Sequence, residues 1–175
     1  MLNGDMICLR EPWESDISLL VSMKNDIDLQ MKLMTFPRAN TSQKVKDWLT
    51  NHLNNPQTVF FMVAQKIDNA PCGYIQLVNM DFINRFGELG ICLVKSSQGK
   101  GYGKDAIQVL EKYVEEIFNI RKIILKVLAD NLNAISLYER LGYSKVGCYQ
   151  KHFYNQGDFS DIVLMEKFLD LSRRC

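Results

Sequence analysis

The segment SSQGKGYGKDAIQ, residues 96–108, places Gly99, Gly101 and Gly103 at alternate positions directly before a run with helical periodicity. Ahead of it stands ELGICLV, which reads as a strand running straight into the loop. A strand, a glycine-rich turn and a helix in direct succession constrain the chain strongly. Small residues there let a ligand approach the backbone, and the unpaired N–H groups of a helix's first turn bind anions; a flexible turn is the plain alternative. Two phosphate cradles are excluded by single residues. A G-x-G-x-x-G turn needs glycine where Lys104 stands. A G-x-x-x-x-G-K-[ST] loop needs glycine further back, where Gln98 stands, and Ser or Thr where Asp105 stands.

The rest of the chain supplies the other elements. Ile7 to Arg10 can form a first strand, and Pro12 opens a helical region with Ile17, Leu20, Val21, Met23 and Ile27 at roughly helical spacing. A second helix starts at Ser42 as N-cap, with Val45, Trp48, Leu49 and Leu53 on one face. From Thr58, TVFFMVAQKI, CGYIQLVNMDF and GELGICLV read as an antiparallel meander, with a DNAP turn after the first run. The helix after the glycines sets Ala106, Ile107, Leu110, Val114, Ile117 and Phe118 toward a core. KIILKVLA is a further strand, NAISLYERL a short helix stopped by Gly142 at C′, and Tyr143–Tyr149 and Ile162–Phe168 are closing strands. Helices packed on one mixed sheet, in an α/β (α+β) fold, follow from this order. The length fits one domain over residues 1–175.

Two segments together carry a family resemblance. Gln98-Gly99-Lys100-Gly101-Tyr102-Gly103 resembles the Q/R-x-x-G-x-G/A pyrophosphate loop of the GNAT superfamily of acetyl-CoA-dependent N-acetyltransferases. NLNAISLYERLGYSKVG, from Asn131, is similar to that family's N-x-x-A-x-x-x-Y-x-x-x-G-F signature, with Tyr143 in place of the commoner phenylalanine. The branch with ribosomal-protein, polyamine and amino-sugar acetyltransferases is the nearest in pattern. The resemblance implies a mostly antiparallel sheet of about seven strands, splayed between the fourth and fifth, with about four flanking helices. It implies that acetyl-CoA is bound without a metal. Gln98, Gly99, Lys100, Gly101, Tyr102, Gly103 and Lys104 would hold the pyrophosphate. The backbone of Ile91, Cys92, Leu93 and Val94 would pair with the pantetheine, the N–H near Leu93 serving the oxyanion.

Tyr138 matches the family tyrosine that protonates the departing thiolate, although at helical spacing with Ile135 and Leu141 it also reads as a core aromatic. Glu88 matches the carboxylate that deprotonates the amine, directly or through water; an exposed strand carboxylate is its plain reading. Asn131 and Asn133 can cap the helix, and the family asparagine matched by Asn133 also reaches the coenzyme. His52 fits a helix surface. His152, between the last two strands, is a candidate for facing the acceptor, with Phe36 and Arg38 from the N-terminal half.

Composition narrows the partners. A net charge of +1 leaves no general attraction to nucleic acid or to an anionic membrane surface. The cysteines at 8, 72, 92, 148 and 175 form no C-x-x-C pair, and with only two histidines they read as reduced, mostly buried thiols and not a zinc site. The N-terminus lacks signal-peptide character, and no apolar run approaches a bilayer span, so a soluble, cytoplasmic protein is expected. Members of the resembling family often dimerise, so a homodimer is one state the resemblance allows, the oligomeric state itself being open in the sequence.

For the acceptor, the window Gln30–His52 holds one acidic residue, Asp47, against Lys32, Arg38, Lys44 and Lys46. That balance leans to a small amine carrying negative charge, such as a nucleotide-linked amino sugar, and away from a polyamine. A protein N-terminus or lysine as acceptor, a polyamine, and a non-catalytic acyl-CoA-binding module are the other readings.

Overall fold

A computed structural model describes residues 1–169. The strands are β1 (Leu2–Asn3), β2 (Ile7–Arg10), β3 (Val59–Gln65), β4 (Pro71–Asp81), β5 (Phe86–Leu93), β6 (Lys122–Leu128), β7 (Ser144–Asn155) and β8 (Asp158–Phe168). They form one sheet in the order β1-β2-β3-β4-β5-β6-β8-β7, antiparallel everywhere except between β5 and β6. The helices are α1 (Ile17–Asn25), α2 (Ile27–Lys32), α3 (Ser42–Leu53), α4 (Tyr102–Phe118) and α5 (Leu132–Arg140). Strands of this composition alternate their side chains between two faces, and both faces of β3–β5 are apolar. One face packs Ile75, Leu77 and Leu89 against Ile107, Leu110 and Val114 of α4 and Ile135 and Tyr138 of α5. The other packs Phe60, Met62, Tyr74 and Cys92 against Leu20 and Met23 of α1 and Val45 and Leu49 of α3.

Several elements differ from the sequence reading in detail. The first helical region breaks at Asp26, whose extended backbone and carboxylate, accepting from Leu29 N–H, start α2 afresh; Ile27 is therefore exposed. Thr41, not Ser42, caps α3, accepting from Lys44 N–H at 3.3 Å. Leu53 and Ile117, at the ends of their helices, point to solvent. Gly142 does sit at C′ of α5 with φ +90°; its N–H donates to Glu139 and that of Tyr143 to Tyr138, which closes a Schellman motif.

The largest difference lies at the C-terminal end. The segment expected as a loop between the closing strands continues both of them, with a two-residue turn at Gln156-Gly157, both at positive φ, as tight hairpins favour. A bulge between Tyr149 and Phe153 absorbs the extra residues. Cys8, Cys72 and Cys92 are buried free thiols and Cys148 is exposed; Cys175 lies outside the described residues.

Candidate active site

β5 keeps its ladder with β4 along its length, up to Gly73 opposite Leu93. With β6 it pairs only at Phe86–Lys122, Gly87–Ile123 and Glu88–Ile124. From Leu89 onward the two parallel strands diverge, and β5 presents an unpaired backbone edge to the gap. Ile91, Cys92 and Leu93 lie along it. Val94 lies beyond the strand with both backbone groups engaged, its N–H on Cys72 O and its carbonyl accepting from Ser97 N–H, each at 2.9 Å.

The glycine loop closes the open end of this fork. Gln98 Nε2 donates to Leu93 O at 2.8 Å, tying the loop to the last residue of β5. Gly99 and Gly101 adopt φ of +74° and +86°, and Gly101 is the N-cap of α4 with no side chain capping it. The first N–H of α4 to donate back along the chain is that of Asp105, to Gly101 O at 3.1 Å, so those of Tyr102, Gly103 and Lys104 face outward from the helix start. Lys100 and Lys104 are exposed and form no ion pair among the described residues. Free N–H groups, the positive end of a helix and two unpaired ammonium groups suit a pyrophosphate.

Gly103 shows how the two sequence motifs meet. A Cβ placed there would lie 3.6 Å from both Leu137 of α5 and Leu93 of β5, and 3.9 Å from Ile91. The start of α4, the free edge of β5 and the body of α5 therefore converge on one point. One residue beyond Leu137, Tyr138 is buried with its ring 5.7 Å from that of Tyr143, and burial pushes its phenol up to about 12. Asn131 caps α5, accepting from Ala134 N–H at 3.3 Å.

Glu88 occupies the last paired position before the strands part. Its carboxylate meets Lys126 Nζ, on the diverging β6, at 3.2 Å. Beyond the fork a cavity of about 560 Å³ is bounded by α2, the junction of β6 with α5, and the tip of the β7–β8 hairpin. Asp28, Asp130, Asn131, Asn133, Asn155 and Gln156 supply its polar lining, with Lys32 its one cationic side chain.

Of the acceptor candidates, Phe36 stacks on Phe153 at 5.9 Å and is itself largely exposed. Arg38 lies on the α2–α3 connection, where its carbonyl accepts from Asn40 Nδ2 at 2.6 Å. His152 stands exposed on β7 against Tyr149 at 4.9 Å, because the strand continues where a loop was expected and its neighbour Phe153 takes the inward face. None of the three lines the cavity. His52 is half-buried, its ring 4.6 Å from Trp48.

Sequence reasoning missed Asp105 as an anchor: its buried carboxylate accepts the N–H groups of Asp5, Met6 and Ile7 at 3.1, 2.7 and 3.0 Å. It also missed Asp28, Asp130, Asn155 and Gln156. An N-Q-G run between two apolar strands was the available signal for the hairpin tip that brings the last two into place.

A family model described as an acetyltransferase (GNAT) domain matches residues 7–144. The chain belongs to the GNAT acetyltransferase family. The chain is similar to the spermidine N(1)-acetyltransferase of Vibrio cholerae, with 24% identity over 173 residues, covering 97% of this chain and 99% of that protein. It is similar to the ribosomal-protein-serine acetyltransferase of Escherichia coli K12, with 23% identity over 150 residues, 73% of this chain and 83% of the other. A crystal structure of Vibrio cholerae spermidine N-acetyltransferase in complex with CoA and spermine superposes with a TM-score of 0.88 at 22% identity, covering 95% and 98% of the two chains. That match shows a shared GNAT fold. As a GNAT acetyltransferase the chain is an acyltransferase using acetyl-CoA, and its free loop amides and unpaired β5 edge fit that cosubstrate.

Proposed function

We propose that this enzyme acetylates a primary amine of a polyamine-class polycation. The observation that carries the reading is the cavity beyond the fork, where the Asp28 and Asp130 carboxylates and four side-chain amides outnumber the single ammonium of Lys32. Carboxylates and amide oxygens accept from ammonium groups, and a chain of several ammoniums would place one at the fork and the others among these acceptors. The spermidine acetyltransferases among the relatives agree with that chemistry.

The lean toward an anionic amino sugar came from counting charges between Gln30 and His52. Asp28 lies before that window and Asp130 far outside it, so the count left out both carboxylates of the cavity. A nucleotide diphosphate would meet them unfavourably.

Acetyl-CoA supplies the activated acyl group. Glu88, at the mouth of the fork, takes the proton from the acceptor's ammonium, and the ion pair with Lys126 fixes the direction of its carboxylate. Tyr138, whose phenol stays protonated at neutral pH, holds a proton for the leaving sulfur. Release of free coenzyme A thiol from acetyl-CoA, followed against spermidine, spermine, nucleotide amino sugars, aminoglycosides and N-terminal peptides, tests the reading. Turnover is expected with the polyamines, and turnover confined to any other class refutes it. Glu88→Gln is expected to lower kcat by roughly 10²-fold while leaving acetyl-CoA binding unchanged.

A further inference from the structure

A buried hydrogen-bonding group without a partner carries its desolvation cost unrelieved, so in a folded protein it marks either strain or an absent ligand. Gln76 of β4 is such a group. Its Oε1 is sealed from solvent and accepts from no protein group, and neither end of the amide is hydrogen-bonded among the described residues. The neighbouring strand explains where the side chain lies. Gln76 is in register with Gly90 of β5, and a Cβ on Gly90 would stand 3.1 Å from Gln76 Nε2 and 3.2 Å from its Cγ. The amide therefore occupies the place a side chain at position 90 would fill.

Three features say what the amide faces. β5 pairs with β6 only as far as Glu88, so Gly90 belongs to the free edge of the fork. Glu88, two residues earlier on the same strand, directs its side chain to the same face as Gln76, since alternate strand residues share a face. Cys92, two residues later, is sealed beneath α1 and α3. A group entering the fork toward the Glu88 carboxylate thus passes over Gly90, where no side chain of residue 90 stands between it and the amide.

We propose that Gln76 is an acceptor-binding residue: a half-turn of its terminal amide brings Oε1 to the place beside Gly90 that Nε2 occupies in the unliganded protein, where it accepts an N–H of the acceptor amine and holds the nitrogen between the Gln76 amide and the Glu88 carboxylate. The inference rests on the amine-acetylating reading above. A neutral carbonyl oxygen accepts from the ammonium and from the free amine alike, so the contact survives deprotonation. When the N–H bond aimed at Glu88 breaks, the proton passes to the carboxylate oxygen and the electron pair stays on nitrogen. The hydrogen bond to Gln76 fixes a second N–H and holds the nitrogen in place equally before and after that transfer, so it contributes to binding and not to the chemical step.

Gln76→Met keeps the length of the side chain and removes both polar ends. With spermine as acceptor, its KM is expected to rise about tenfold, with kcat within about twofold and the KM for acetyl-CoA unchanged. Calorimetric binding of spermine in the presence of CoA should weaken by the same factor. The unliganded protein is expected to melt at a higher temperature than wild type, because an unpaired buried group has been removed. An unchanged spermine KM, an equal rise in the acetyl-CoA KM, or a lower melting temperature overturns the proposal. Failure of the wild type to acetylate or bind spermine would instead refute the polyamine reading, and the same KM comparison with the amine class that is turned over then decides the role of Gln76.

Discussion

The carboxylate of Asp105, in the first turn of α4, accepts the backbone N–H of Met6 at 2.7 Å, and those of Asp5 and Ile7 beside it. One side chain thereby fixes the β1–β2 turn onto the helix whose start forms the anion cradle. Gly4 is small for the same reason, since a Cβ there would lie 2.3 Å from Asp105 Oδ1. Replacing Asp105 with alanine leaves three backbone donors without their acceptor in a buried or half-buried place. The expected cost is about 3 kcal/mol of stability, read from urea unfolding. The KM for acetyl-CoA should rise with it, because the loop and the N-terminal turn share this anchor; an unchanged KM would separate the anchor from the cradle.

The two left-handed glycines of the loop make different demands. Around Gly99 an added Cβ meets nothing within 4 Å, so Gly99→Ala should cost only the backbone penalty of about 1 kcal/mol. At Gly101 the added Cβ would come 2.9 Å from Met6 Cε, the end of a flexible and exposed side chain that can swing aside, so the larger demand is on the backbone: Gly101 is the N-cap of α4 and directly precedes the free N–H groups of the cradle. A left-handed alanine there disturbs those groups, so Gly101→Ala should raise the acetyl-CoA KM more than Gly99→Ala. Steady-state kinetics of the two variants, run side by side, check the order.

This contrast marks what was legible in the sequence. The loop, the Asn131 cap and the Gly142 stop are local: a backbone conformation or a helix end demands a residue type within a few positions, and the chain displays it. The two motifs could be placed near each other by resemblance, but the packing of Gly103 against Leu137 and Leu93 is tertiary. Gln76 was illegible because its role depends on register with Gly90, which a one-residue slip would abolish. Asp105 reaches residues nearly a hundred positions away. The cavity takes Asp28, Asp130 and Asn155 from three separate elements, so a count over one window could not find its charge. His152 was misplaced because a tight Gln156-Gly157 turn extends the strands that a loop reading had ended early.

Tyr138 combines burial with a place on α5 next to Leu137, at the meeting point with the β5 edge. Burial favours its neutral form and raises the phenol to about 12, so it remains an available acid throughout the neutral and mildly alkaline range. Tyr138→Phe should lower kcat by at least about tenfold with the far-ultraviolet dichroism unchanged. A basic limb of the kcat profile below pH 10 should persist in this variant, since it belongs to another group. Near-wild-type turnover would remove Tyr138 from proton transfer and leave it as a core aromatic.

The same burial makes the fold sensitive to alkali. Tyr74, Tyr138 and Tyr143 all have phenols raised above the ordinary value of 10.0: Tyr74 by burial first, Tyr138 by burial, and Tyr143 by burial and then the nearby Glu111 carboxylate. Above pH 10 the unfolded chain loses these protons while the folded chain keeps them, so the folded state binds more protons and its stability falls as pH rises. Each tyrosine contributes a slope of about 1.4 kcal/mol per pH unit until the pH reaches its folded value, which for Tyr138 is about 12. Below pH 10 both states hold the protons and the three groups add no pH dependence. Urea midpoints measured at pH 9 and pH 11 should therefore differ sharply; the buried Cys72 and Cys92 thiols, also raised by burial, add to the fall, and Tyr143→Phe should remove only the share of one tyrosine, about 1.4 kcal/mol at pH 11. Equal midpoints would mean that the phenols reach solvent in the folded protein, which would also remove the basis for keeping Tyr138 protonated beside the leaving sulfur.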